Sequence, residues 1–135
     1  MLGEMIGEFL GKITCQKALP SDGPNPKVET SVQMTGNILG EEATIIVTYC
    51  SVMRPMGVLY GEANGVIMIK DGDAMTFIGH GVGKFTGHGS AVSFRGDNYI
   101  QTSSAKFAHL NSVAIVFEFE VDENGNTHAK FWEWK

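Results

Sequence analysis

The stretch from Val58 to Gly89, VLYGEANGVIMIKDGDAMTFIGHGVGKFTGHG, decides how this chain folds. Apolar and polar residues alternate on both sides of Asp71-Gly72, and a period of two puts successive side chains on opposite faces of a strand. An Asp-Gly pair between two such runs signals a type I′ turn, whose two-residue loop sets which residues face one another. In that register Lys70 pairs with Asp73, Met68 with Met75, Val66 with Phe77, Asn64 with Gly79, Glu62 with Gly81 and Tyr60 with Gly83. The opposite face carries Ile69 with Ala74, Ile67 with Thr76, Gly65 with Ile78 and Ala63 with His80.

The same stretch holds eight of the chain's 17 glycines, a total nearly twice the roughly 7% of an average protein. A nucleotide loop does not account for them. Gly-Lys is followed by Phe85 rather than Ser or Thr, and nothing helical follows to present backbone amides to a phosphate. Gly79, Gly81 and Gly83 share strand parity, so they bare one face of one strand. Such a face lets a large neighbouring side chain lie across it, or lets the strand coil as barrel closure demands.

The period of two continues outward from this hairpin. Phe9, Gly11, Ile13 and Cys15 alternate with Leu10, Lys12, Thr14 and Gln16, and Cys15 reads as a small core residue. Pro20 to Pro26 holds three of the four prolines and forms a surface loop. Val28, Thr30, Val32, Met34 and Ile38 share one face of a second strand, Thr44 to Val52 is a third, and Met53 to Gly57 turns into the fourth. Ala91 to Gln101 is a weaker strand, and only Thr102 to Leu110 offers room for a turn of helix. The chain ends in a hairpin in which Gly125 suits a three-residue loop with a G1 bulge. That loop sets Glu120 opposite His128, Glu118 opposite Lys130, Val116 opposite Trp132 and Ala114 opposite Trp134. Phe119 meets Ala129 and Phe117 meets Phe131 on the other face. Opposite charges and apolar pairs coincide in this register, each contributing about 0.2–1 kcal/mol.

Seven or eight strands and almost no helix leave a β-sandwich or a barrel; long strands with internal glycines favour the barrel. The expected fold is therefore all-β, a single antiparallel up-and-down barrel of about eight strands spanning residues 1–135. Fifteen acidic residues against ten basic ones give a net charge of −5, which argues against a nucleic-acid partner. No apolar run approaches a membrane span, and the N-terminus carries acids where a signal peptide carries bases, so no membrane partner and a cytoplasmic location are expected. Two cysteines make no disulfide framework and fit a reducing compartment.

The predicted register places Tyr60, Glu62 and Asn64 opposite glycines and on one face with Met68, Met75, Phe77 and Val66. If that face points inward, it is a pocket, apolar at one end and polar but unfilled at the other, suited to a small hydrophobic or amphipathic molecule. A desolvated Glu62 there could serve as a general acid or base. If it points outward, Tyr60, Glu62 and Asn64 are a solvated surface. His80, His88, His109 and His128 match no metal-ligand spacing, and neither a metal nor a cofactor is expected. Neither cysteine has a neighbouring His or Lys that would activate it. Trp132 and Trp134 share an outer face with Val116 and Ala114, which suggests contact between copies of the chain.

With its strand order and the Gly-x-Gly and Gly-x-x-x-Gly steps between Gly61 and Gly89, the chain resembles the barrels grouped with allene oxide cyclase, which include the dirigent proteins. The resemblance implies an oligomer with a mainly apolar cavity that binds or guides a small hydrophobic molecule. No catalytic residue of that group matches a position in this chain. Three functions follow as expectations: a ligand-binding homo-oligomer, a structural barrel filled by its own Phe and Met side chains, and an isomerase or cyclase using Glu62.

Overall fold

A computed structural model describes residues 1–135. Eight strands, β1 (Leu2–Ala18), β2 (Lys27–Ile38), β3 (Glu41–Arg54), β4 (Val58–Ile69), β5 (Ala74–Phe85), β6 (Val92–Gln101), β7 (Ala114–Val121) and β8 (Asn126–Trp134), follow one another around a closed barrel. Every neighbouring pair is antiparallel, and β8 returns to β1, so no edge is left unpaired. Alternation explains the two faces. Along β5, Met75, Phe77, Gly79 and Gly83 are buried while Thr76, Ile78, His80 and Val82 are exposed.

One end of the barrel is plugged. The segment between β6 and β7 folds back over it, burying Phe107 and Leu110 to 1% exposure each. Burying side chains of this size contributes about 1.5–3 kcal/mol apiece. Polar contacts hold the plug in place. Asn111 accepts a hydrogen bond from the Thr102 amide at 2.8 Å and donates to its carbonyl at 3.0 Å. The Ser104 hydroxyl donates to Asp73 at 2.7 Å, and Lys106 pairs with Glu41 beside the β2–β3 turn. The opposite end, ringed by the Pro-rich loop, the 3-10 turn Pro55–Gly57 and the turns after β5 and β7, carries no such plug.

The β7–β8 hairpin has the predicted register throughout, from Ala114 opposite Trp134 to Glu120 opposite His128. The β4–β5 hairpin is displaced by one residue. Met68 faces Ala74, Ile67 faces Met75, Gly65 faces Phe77, Glu62 faces His80 and Tyr60 faces Val82. The cause lies in the turn: the Gly72 amide donates to the Ile69 carbonyl at 2.9 Å and the Ile69 amide to the Asp73 carbonyl at 2.8 Å. This is a three-residue loop, with Gly72 at φ 106° as the bulge residue rather than half of a type I′ pair.

Two smaller corrections follow from local geometry. β1 begins at Leu2, well before Phe9, and a bulge between Ile13 and Cys15 inverts its parity, so Cys15 is exposed rather than in the core. His128 lies opposite Glu120 as expected, but its Nε2 meets Glu8 on β1 at 2.6 Å, while Glu120 pairs with Arg95 at 2.8 Å.

Candidate functional site

The unplugged end opens into a basin of about 500 Å³. Its wall is built from the mouth ends of the strands and of the turns that join them. Ile13, Val28, Met53, Leu59, Val92 and Val121 supply apolar surface, and Gln16, Thr30, Tyr49, Ser51 and Ser90 supply hydrogen-bonding groups. Asp122 and Glu123 add negative charge at the rim, and no Lys or Arg lines the basin. The Asp122 carboxylate is locked in its turn, accepting hydrogen bonds from the Asn124 and Asn126 amides at 2.9 and 2.8 Å and from the Asn126 side chain at 2.9 Å. Those bonds hold its pKa below the usual carboxylate value.

The basin floor is aromatic. Tyr49 from β3, Phe94 from β6 and Phe119 from β7 meet with ring centroids 5.7, 5.8 and 6.3 Å apart, two of the contacts edge-on. Burial pushes the Tyr49 phenol up to about 12, with the Thr30 hydroxyl opposing part of the shift. Tyr49 therefore stays a neutral donor and acceptor across the physiological range. Thr30 in turn accepts a hydrogen bond from Gln16 at 3.2 Å, so a short polar chain leads down one wall to the floor.

Beneath the floor lies a chamber of about 60 Å³, also bordered by Tyr49 and Phe94. Gly61, Ala63, Gly79 and Gly81 bare one side of it, while Phe77, Phe117 and Phe131 close the others. The paired glycines thus make interior space, as their shared parity predicts. Gly79 is required: a Cβ there would lie 2.1 Å from the Asn98 Oδ1, the residue directly opposite on β6. Asn98, 6% exposed, is the buried carboxamide of this interior.

The predicted site residues divide between the two faces of the wall. The displaced register turns Tyr60, Glu62, Asn64 and Met68 outward, so they do not line the interior, whereas Met75 is buried and Phe77 borders the chamber. Outside, the Arg54 guanidinium stacks 4.1 Å above the Tyr60 ring, and the Tyr60 hydroxyl donates to Glu62 at 3.4 Å. Loss of solvent and the Glu62 charge raise the Tyr60 pKa. Across β5, His80 approaches Asp97 at 3.6 Å, and Tyr99 donates to the other Asp97 oxygen at 3.3 Å. No three His, Cys, Asp or Glu side chains converge to hold a metal ion. Cys50 faces Glu62 on the outer wall. Trp132 and Trp134 do share the outer face, beside Met5 and Leu2 of β1.

Sequence reading missed Gln16, Thr30, Tyr49 and Asn98 as site residues. A signal for two of them was present: Asn98 has the parity of Phe94 and Ile100, and Tyr49 that of Ile45 and Val47. A polar residue at an inward position is the informative kind of burial.

No protein-family model matches the chain, and no curated protein matches its sequence. Solved structures do match in fold. A protein with unknown function from Clostridium acetobutylicum superposes with a TM-score of 0.82 at 14% identity, covering 96% of each chain. A β-barrel-like protein from Acinetobacter baumannii gives 0.81 at 15% identity, covering 100% of this chain and 96% of its own. An enzyme from Penicillium herquei gives 0.63 at 15% identity, covering 96% and 94%. At these identities the shared property is the small eight-stranded antiparallel barrel.

Proposed function

We propose that the barrel binds a small apolar or amphipathic molecule at its open mouth. The observation that carries this reading is the asymmetry of its ends: one is plugged by Phe107 and Leu110, and the other opens into about 500 Å³ of space lined by apolar and hydrogen-bonding side chains together. That volume lies within the roughly 300–1,000 Å³ of small-molecule sites, and the few polar groups on the Gln16–Thr30–Tyr49 wall would orient a ligand. The resemblance to the allene oxide cyclase group agrees with this shape and assigns no reaction here. A cytoplasmic setting agrees with two unpaired cysteines.

The chain would work as a homo-oligomer joined through the Trp132/Trp134 face. Leu2 pairs with Trp134 and Met5 with Trp132, and exposures of 51%, 47% and 56% for Leu2, Met5 and Trp134 leave this strip in water. Lys130 and Glu8 sit side by side along it, so a second copy related by a two-fold axis can match both apolar surface and charge. Trp134→Lys should lower the native mass by at least one subunit without unfolding the barrel; an unchanged mass overturns this interface.

The structural-barrel reading is supported by the small size of the chamber, about 60 Å³ between Phe and Met side chains. Native mass spectrometry of protein purified from its own host separates the two. A retained small molecule supports binding; a bare oligomer, together with no uptake of added apolar probes, favours the structural role. A Glu62-dependent isomerase would have to act on the outer wall, because Glu62 lines neither the basin nor the chamber.

A further inference from the structure

Asn98 is a feature of the interior that a filled barrel does not explain. Its side chain, 94% buried, borders both the chamber and an adjoining void of about 10 Å³ between Ile38, Ile67, Ile100 and Ile115. The carboxamide faces this space and engages none of the side chains around it. Desolvating an amide costs free energy, and an apolar residue of similar size would fit the same position without that cost. Gly79 is bare because the Asn98 oxygen occupies the place of its Cβ. Two positions are thus committed to keeping one hydrogen-bonding group at the chamber wall.

The size of the chamber limits what can reach it. An apolar cavity of about 150 Å³ accommodates a benzene ring. Sixty takes only a slim end: a carbonyl or hydroxyl with one or two carbons. The route runs past Tyr49 and Phe94, which border both spaces, so turning one ring joins chamber to basin. The basin then holds the ligand's body, and its lining includes Asp122 and Glu123 and no Lys or Arg.

Building on the binding reading, we propose that the ligand is uncharged and elongated, with a flat apolar body in the mouth and a slim carbonyl or hydroxyl end at Asn98. Fatty acids and other anions are disfavoured by the Asp122 and Glu123 carboxylates of the basin lining.

Three fluorescent naphthalenes test this. Prodan is neutral and carries a propionyl ketone; 2-(dimethylamino)naphthalene lacks the ketone; 1-anilinonaphthalene-8-sulfonate is an anion. Prodan should bind the intact protein more tightly than the sulfonate. Asn98→Leu should weaken prodan about tenfold and leave the ketone-free probe unchanged, as loss of one buried hydrogen-bond partner predicts. Equal effects on both probes, no effect on prodan, or tighter binding of the sulfonate each overturn the inference while leaving a binding pocket in place. If neither neutral probe binds the unmodified protein, the pocket reading falls and this inference with it. Should Asn98→Leu not fold, Gly61→Ala replaces it, because its added methyl meets nothing closer than 3.7 Å while narrowing the chamber. It should weaken prodan selectively; unchanged prodan binding to that variant also overturns the inference.

Discussion

The β4–β5 and β7–β8 hairpins close with the same turn yet differ in how openly their sequences declare it. In each, a three-residue loop ends in a left-handed glycine, Gly72 at φ 106° and Gly125 at φ 82°. In each, an aspartate accepts a backbone amide from two residues on, Asp71 within its loop from Asp73 at 3.0 Å and Asp122 at the start of its loop from Asn124 at 2.9 Å. The strands supply the difference. β7 and β8 put Glu118, Glu120, His128 and Lys130 on one face, so a slip by one residue would bury charge. The outer face of β4–β5 carries Val66, Met68, Ile78 and Val82, whose exposures of 37–53% are those of apolar residues left in water. Either register of that hairpin looks plausible by hydrophobicity alone. Side-chain fit decides it: the Phe77 ring lies over Gly65, and Leu59 lies opposite Gly83.

If glycine contacts lock the first hairpin, filling them should break it. Gly65→Ala places a Cβ 2.2 Å from the Phe77 ring and should cost about 1–3 kcal/mol in urea unfolding, with an unchanged m value. Gly61→Ala, four residues earlier on the same face, has room and should change stability by less than about 1 kcal/mol. Equal costs at the two sites would mean that glycine acts through strand propensity rather than through the ring.

The shared turn predicts a shared, smaller penalty. Gly72→Ala and Gly125→Ala should each lose about 1–2 kcal/mol, because neither position crowds a Cβ closer than 3.8 Å and the cost is that of a left-handed backbone. Asparagine at either position should recover part of it. A loss confined to one hairpin would show that the two loops are not equivalent.

The smallest effect is electrostatic and belongs to the β7–β8 turn. The pKa of Asp122 is lowered in the folded protein by hydrogen bonds from Asn126 and Asn124. The stability it contributes is therefore present above its unfolded value of 3.8 and is lost as pH falls through the lower folded value. Asp122→Asn should flatten the acid limb of a pH–stability curve below about pH 4.

The site was legible in part. The recurring parity of Gly79, Gly81 and Gly83 marks a bare face, and the structure places two of these glycines at the chamber. Its polar partners were assigned to the wrong strand positions because a one-residue change in loop length exchanges the two faces of a strand along its whole length. Tyr60, Glu62 and Asn64 moved outside for that reason, and Asn98, three strands away from Tyr49 in the sequence order, took the inward position. Cys15 moved outward through a bulge that no residue at Thr14 announces.

Alternation, turn residues and the cross-strand charges of the last hairpin were sufficient for an antiparallel all-β chain of seven or eight strands with a barrel favoured over a sandwich, since these are local properties with a period of two; closure of the eighth strand on the first belongs to the tertiary structure. Which face of β4–β5 is inward, which end is plugged, and which polar groups meet in the space between were decided by tertiary packing. Those outcomes depend on how large side chains from distant strands share one interior, where a ring can lie only over a glycine and a buried amide only beside a cavity.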